Sequence, residues 1–568
     1  MRRSGDDWRA VRCRAVRWRA GRREGFFLLV VLVAVAVATL AVYSFTETMI
    51  TLDDAVHVEA SLDQTDRAID SAEAMLTVWL ASSRDDVEAG GGMYDNPGRL
   101  SGQLVAPESV GSSAVAFTVV ASGLNAGGMP AGIRYGLVDE SSRLNVNALP
   151  AWEKYSDGLL TELSRSETAS SDPIDLDTSL ATRMLAGLPG MTPEISDAIL
   201  DWIDADDQRR EFGAESAEYA AAAEPYRPAN GPIDDVQELL AVRGVTPELF
   251  YGADINQNGV LDADEQQRFS VTIETPGVFG WASLLTTHGT ESMTRRDRRP
   301  KVKVNQDDIE ALYDELTAAI DNPDLASFIA AYRVDGSAGG ADSANGGDAD
   351  DGSPASESPQ RPNGDVVDGG IWTADLIDQV DLTGGGGTPL TQVLDLVGAS
   401  VTVESGGRST RYRSPLGEDA LSAAAFLPAL HDAIAVVDAA AVPGRLNVNT
   451  AAASLLAAIP GLDPETLEAI VQARDPMSDD PMRRNASWLW TEGIVSLDRM
   501  RTLSSLLCGG GDVFSAQVVG YHVRGGPASR RRIIIDASTV SPKILSRRPL
   551  NHLGRGFDRS VLGVPPGS

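Results

Sequence analysis

The sequence predicts an α+β chain: one very long N-terminal helix, strand-like segments towards both ends, and a helical middle. Three observations carry this reading. No Gly or Pro occurs between Phe26 and Ala89, so nothing there breaks a helix. The β-rich runs SSAVAFTVVAS (112–122), GIRYGLVDES (132–141) and FSAQVVGYHVRGGPASRRRIIIDAS (514–538) flank the middle. The segments between them carry apolar residues at helical spacing, punctuated by Pro-Gly turns such as LPGMTPE and IPGLDPE.

The N-terminal helix is two things in sequence. Its first part, Phe26 to Thr46, is uncharged and apolar over about 20 residues, enough to span a bilayer. A cleaved secretory signal has a shorter apolar run. Nine arginines precede it, which by the positive-inside rule keeps the head cytoplasmic and sends the bulk of the chain outside. Past Glu47 the pattern turns amphipathic. Val58, Leu62, Ile69, Ala72, Leu76 and Leu80 recur on one face and predict packing against a soluble domain.

Composition narrows the function. The 568 residues suggest several domains. A net charge of −33 argues against a nucleic-acid partner, whose phosphates need a basic face. Cys13 precedes the apolar block and Cys508 lies far beyond it, so no disulfide framework exists. The five histidines stand singly, and no nucleophile elbow, phosphate loop or zinc spacing occurs, so no catalysis is expected.

The middle repeats itself. Arg143-Leu-Asn-Val-Asn147, Lys301-Val-Lys-Val-Asn305 and Arg445-Leu-Asn-Val-Asn449 read as three starts of a strand-turn-helix unit, with Asn or Thr capping the helix that follows. The helix pairs resemble helix-hairpin-helix or SAM-like modules. Hairpins of this kind can bind DNA, which gives a second reading: a membrane-anchored DNA receptor of the competence type. The DNA-binding form has a second Gly at the hairpin, where backbone amides meet a phosphate. Here that place is Thr192, Thr246 or Asp463, amid acidic residues, so scaffolding is the preferred expectation.

DINQNGVLDADE, Asp254 to Glu265, matches D-x-[DN]-x-[DN]-G-x5-E at every fixed position. Asp254, Asn256 and Asn258 supply side-chain oxygens, Val260 a carbonyl, Asp262 the ninth position and Glu265 a bidentate twelfth; Gly259 permits the sharp turn. Oxygen-only ligands suit Ca²⁺. The flanks PELFYGA and RFSVTIETP look too short and too extended for opening helices, so the expectation is a static calcium-stapled loop. A second acidic run, Asp201, Asp204, Asp206 and Asp207, is read as a solvated face before a second ion site.

The basic leader ending in Gly25-Phe26, together with DESSRLNVNALP, AILDWIDADDQRREFGAESAEY, PYRPANGPIDDVQELLAVRGVTPELFYG and GRLNVNTAAASLLAAIPGL, resembles the K-type minor pseudopilins of type II secretion, the GspK family. The resemblance implies a pilin-like α/β domain with a large helical domain inserted among its strands. It implies cleavage between Gly25 and Phe26 by a prepilin peptidase, with methylation of the new terminus. It implies an inner-membrane, single-pass protein with a periplasmic bulk, joining I- and J-type minor pseudopilins, then the H-type and the major pseudopilin, at the tip of a pseudopilus that exports folded proteins. Most relatives of the wider pilin class carry Glu at the fifth mature position; this chain has Val30. A carboxylate in lipid needs a partner, and a subunit inserted first has none above it, so Val30 fits a tip position.

On this reading the chain divides into a cleaved basic leader 1–25, a membrane segment 26–46, helix and first strands 47–142, and a first helical module with the metal loop 143–275. A second repeat-like segment 276–334, a disordered acidic linker 335–370, a further helical module 371–510, C-terminal strands 511–540 and a loose basic tail 541–568 complete it.

Overall fold

A computed structural model describes residues 24–107, 113–125, 127–166, 178–275, 277–337, 366–439 and 441–563. The basic leader up to residue 23, and 338–365 of the linker, lie outside these. The chain separates into two units, residues up to Asp63 and residues from Gln64 onward.

The first unit is helix. The N-terminal helix runs Glu24–Ala81, close to the expected span, and every side chain described from Phe26 to Ala60 is exposed. Its remaining turns belong to the second unit, where Ala68, Ile69, Ala72, Leu76 and Leu80 are fully buried. Val58 is exposed and does not extend that stripe. Ser83 ends the run by capping a short helix, Arg84–Ala89, accepting from the Asp86 amide.

The second unit is built on a seven-stranded sheet whose strands come from both ends of the chain. Val115–Leu124 and Val513–His522 pair antiparallel at its centre, with Val518 opposite Val119. Gln103–Ala106, Pro130–Arg134 and Val138–Asp139 join from the N-terminal side, Ala528–Asp536 and Lys543–Pro549 from the C-terminal side. Alternate residues face opposite ways. Val119, Val518, Ile533 and Ile535 pack on the Ile69–Leu80 helix stripe. Ala116, Val120, Val519 and Tyr521 form the other face, and Phe557 and Leu562 cover it.

That cover corrects the expectation of a loose tail from 541. Lys543–Pro549 is a strand, and the residues after it are fixed by the Leu562 carbonyl accepting from Thr118 and the Val561 carbonyl accepting from Tyr135 Oη at 2.7 Å. The segment is basic at its surface, yet Leu550, Phe557 and Leu562 supply the apolar layer the sheet requires.

Residues 144–508 leave the sheet after Asp139 and return to it at Val513, the arrangement of an insertion. Within it the three repeats close alike. Leu144–Asn145 pairs in parallel with Leu285–Thr286, Val302–Lys303 with Ile434–Ala435, and Leu446–Asn447 with Leu507–Cys508. The final Asn of each repeat reaches across its loop rather than capping a helix: Asn147 Nδ2 donates to the Ile233 carbonyl, Asn305 to Leu390 and Val436, Asn449 to Arg483 and Gly509, all at 2.7–2.9 Å. A local turn is made instead by the preceding Asn145 and Asn447. Residues 302–435 are thus closed by the second of these three pairings.

That segment also corrects the purely helical expectation for 371 onward. Gly336–Ser337, Val367–Ile371, Ser400–Ser405 and Arg408–Arg413 make a four-stranded sheet. Its edges include both described ends of the proposed linker, which are strands.

Candidate metal centre and membrane segment

The Phe26–Ala81 stretch is one helix long and apolar enough to cross a membrane, with none of its most apolar window buried. Val30 lies on its exposed surface.

The Asp254–Glu265 loop lies between a five-residue helix, Pro247–Tyr251, and a seven-residue helix, Ala263–Phe269. The second begins inside the loop at its tenth position and takes in Arg268 and Phe269 of RFSVTIETP, while 270–275, expected to be extended, is turn rather than strand. Gln257 and Gly259 take positive φ, 55° and 77°, which tightens the turn. The Asp254 carboxylate accepts from the Asn258 amide at 3.0 Å and the Gly259 amide at 2.8 Å. Glu265 accepts from Ile255 and Asn256 on one oxygen and from Asp262 on the other. Asn256 and Asn258 both turn their amide nitrogens to Asp262 Oδ2, at 2.7 and 3.2 Å, so positions three, five and nine share one centre.

Asp254 and Glu265 are buried, and among the described ion pairs neither has an arginine or lysine partner. Burial pushes the Asp254 carboxyl up to about 6, against the pull of the Gly259 and Asn258 amides. Three carboxylates and two side-chain amides around a tight turn fit a hard divalent cation, provided that the amides present their oxygens to it, and the cation would relieve that burial cost.

The second acidic run is not a solvated face throughout. Asp206 and Asp207 are exposed, but Asp201 is fully buried. Asp201, Asp204 and Glu215 bring carboxylate oxygens within 4.8 Å of one another. Arg210 pairs with Asp201 at 2.7 Å and Asp204 at 2.6 Å. Glu215 is 3% exposed, both its oxygens lack a hydrogen-bond partner, and burial together with Asp201 and Asp204 pushes it up to about 7. Sequence reading passed over Glu215, which stands fourteen positions from Asp201. The signal was Gly213, where any Cβ would collide with the Asp201 carboxylate.

At the hairpins, Thr192, Thr246 and Asp463 are helix N-caps. Their side chains accept from the amides of Ile195, Leu249 and Thr466. One backbone amide at each of these helix starts is thus already satisfied by the cap.

Two sequence profiles described as "Type II secretion system (T2SS), protein K" match the chain, one over residues 142–252 and one over 446–504. In these two segments the chain is similar to the type II secretion protein K family. The two matches begin at the first and third repeats and leave the second, 302–435, between them. The acidic triad falls inside the first match; the Asp254–Glu265 loop begins just after it. The type II secretion system protein K of Pectobacterium carotovorum subsp. carotovorum is 42% identical over 57 residues, which are 10% of this chain. The chain spans 17% of the length of that relative. A chain in the crystal structure of the GspK–GspI–GspJ complex of the enterotoxigenic Escherichia coli type 2 secretion system aligns over 86% of this chain and 96% of its own, at 11% identity and a TM-score of 0.28.

Proposed function

We propose that the chain is a minor pseudopilin of the general secretion pathway, part of the tip of the periplasmic pseudopilus, helping to initiate its assembly for export of folded proteins across the outer membrane. The observation that supports this most is the pair of protein K matches, in order, on the inserted domain. The apolar helix adds an inner-membrane anchor, cytoplasmic at its N-terminus and periplasmic beyond. The sheet assembled from both chain ends, with the Ile69–Leu80 stripe laid on it, supports a pilin-like domain. Paired helices such as Leu180–Ala186 and Pro193–Ile203 favour helix-hairpin-helix modules used as scaffold. The occupied caps at Thr192, Thr246 and Asp463 speak against a nucleic-acid partner.

As partners we propose the I- and J-type minor pseudopilins, then the H-type and the major pseudopilin, with prepilin peptidase acting first between Gly25 and Phe26. Val30 in place of a fifth-position carboxylate supports entry ahead of any subunit above. The protein is read as having no catalysis of its own. We further propose Ca²⁺ in the loop, held by Asp254, Asn256, Asn258, the Val260 carbonyl, Asp262 and Glu265. A second cation at Asp201, Asp204 and Glu215 is favoured by the unpartnered Glu215 carboxylate.

The deciding experiment is mass spectrometry of the N-terminus of the chain expressed with a prepilin peptidase. A methylated Phe26 is expected. An intact leader, or a terminus elsewhere, overturns the pseudopilin reading.

A further inference from the structure

The Asp254–Glu265 loop is docked, and what it docks on is the C-terminal end of the chain. The Gln257 carbonyl, turned outward by that residue's positive φ, accepts from Gln517 Nε2 on the central strand and from Arg530 Nη2 on the next, both at 2.5 Å. Arg530 is 1% exposed and also donates from Nε to Gln517 Oε1 at 2.7 Å. Gly259 lies so close to Ser122 that a Cβ would collide with its hydroxyl. Asn258 Nδ2 donates to the Gly556 carbonyl at 2.6 Å. Gly556, at φ 74°, in turn abuts the Arg530 guanidinium, which sits 5.2 Å from the Phe557 ring centroid.

Asn258 therefore does two jobs with one amide. Its oxygen, which accepts from the Val260 amide at 2.7 Å, would be the fifth-position ligand of the calcium loop, and its nitrogen, which also donates to Asp262, holds the backbone that places Phe557 on the sheet. A cation that fixes the oxygen also fixes where the nitrogen points. Because coupling between two sites is reciprocal, a docked tail must favour the cation as much as the cation favours the docked tail. We propose that calcium binding in this loop latches the C-terminal segment 554–563 over the Ala116, Val120, Val519 and Tyr521 face of the sheet. Without calcium the segment opens more often and uncovers that face. The inference rests on the calcium reading of the loop and adds the element that calcium controls.

The test is hydrogen–deuterium exchange on the full chain in detergent, in calcium and in chelator, beside calorimetric titration with Ca²⁺. The Val561, Leu562 and Gly563 amides bond only within the segment, to Asp558 and Ser560, so their exchange reports its opening. Calcium is expected to slow them at least about fivefold, the lower end of typical coupling. Glu265→Gln, which loses the twelfth-position carboxylate, is expected to lose the heat of calcium binding and the calcium-dependent slowing in 554–563 together. Heat of binding with an unchanged wild-type tail overturns the latch alone. Equal slowing in wild type and Glu265→Gln also overturns it. No heat in the wild type removes the calcium reading and the latch together.

Discussion

Gly520, in the middle of the central strand, lies directly beneath the carbonyl oxygen of Thr65. A Cβ at Gly520 would collide with that oxygen and touch Ile69. The helix backbone therefore rests on the sheet at this point, and Thr65 Oγ1 adds a buried hydrogen bond to Ser529 Oγ at 2.9 Å. Overpacking a closed contact costs about 1–3 kcal/mol. Gly520→Ala is expected to lower the unfolding midpoint of the full chain by an amount in that range. Gly158→Ala, in a helix with open space at the same position, is expected to be neutral or to stabilise by about 0.5–1 kcal/mol. Equal midpoints for the two variants would refute the close contact.

His431 carries the clearest pH dependence. It is half-buried, with Nε2 3.0 Å from Ser487 Oγ and its carbonyl accepting from Lys301 Nζ. Burial, reinforced by the Lys301 and Arg445 charges, lowers it from 6.5 to about 3. The unfolded state then binds a proton that the folded state refuses. The contribution to stability is complete above pH 6.5 and falls as pH drops from there towards 3, by up to about 1.4 kcal/mol per pH unit. His431→Gln keeps a polar partner for Ser487 and cannot titrate. Denaturant midpoints measured between those limits should show a shallower acid slope for this variant; parallel slopes would mean that His431 charges freely in the folded protein.

The calcium loop predicts a ligand-dependent stability. A cation bound only by the folded state stabilises by RT ln(1 + [L]/Kd), about 2.7 kcal/mol at a hundredfold excess over Kd. Calcium is expected to raise the melting temperature of the wild-type chain, and Glu265→Gln, which loses the twelfth-position carboxylate, should lose most of that rise. Glu274→Gln, at an exposed acidic residue outside the loop, should keep it. A rise of equal size in all three proteins would assign the effect to surface charge screening.

Local signals made some of this architecture readable and left other parts hidden. The helix could be read because a run without Gly or Pro is a local property, and Ser83 marks its end. The hairpin of 513–522 and 528–536 could be read from alternation and from Gly525 and Gly526 between the strands. The metal loop could be read because its ligands are consecutive. The tail could not: its arginines look solvated, and only the three-dimensional sheet reveals that Phe557 and Leu562 have an apolar face to cover. Glu215 escaped because its partners lie on another turn of chain. The role of Asn147, Asn305 and Asn449 escaped because their acceptors stand 34–131 residues away.

The two acidic centres can be told apart by their aromatic neighbours. Trp202 follows Asp201 directly and packs edge-on against Tyr219, with ring centroids 5.0 Å apart, beside the Asp201–Asp204–Glu215 triad. No tryptophan lies in the Asp254–Glu265 loop or in the two helices that flank it. Terbium, an oxygen-seeking substitute for calcium, should therefore be sensitised at the triad by Trp202, and at the loop through Trp281, whose turn packs against Pro247–Tyr251. Glu215→Gln removes a carboxylate that has no hydrogen-bond partner, so the fold should survive and the triad's part of the sensitised emission should fall several-fold. Glu265→Gln should leave that part unchanged while abolishing the calcium-dependent melting shift. Emission lost with Glu265→Gln and retained with Glu215→Gln would reject a cation at the triad and leave the loop as the cation site under test.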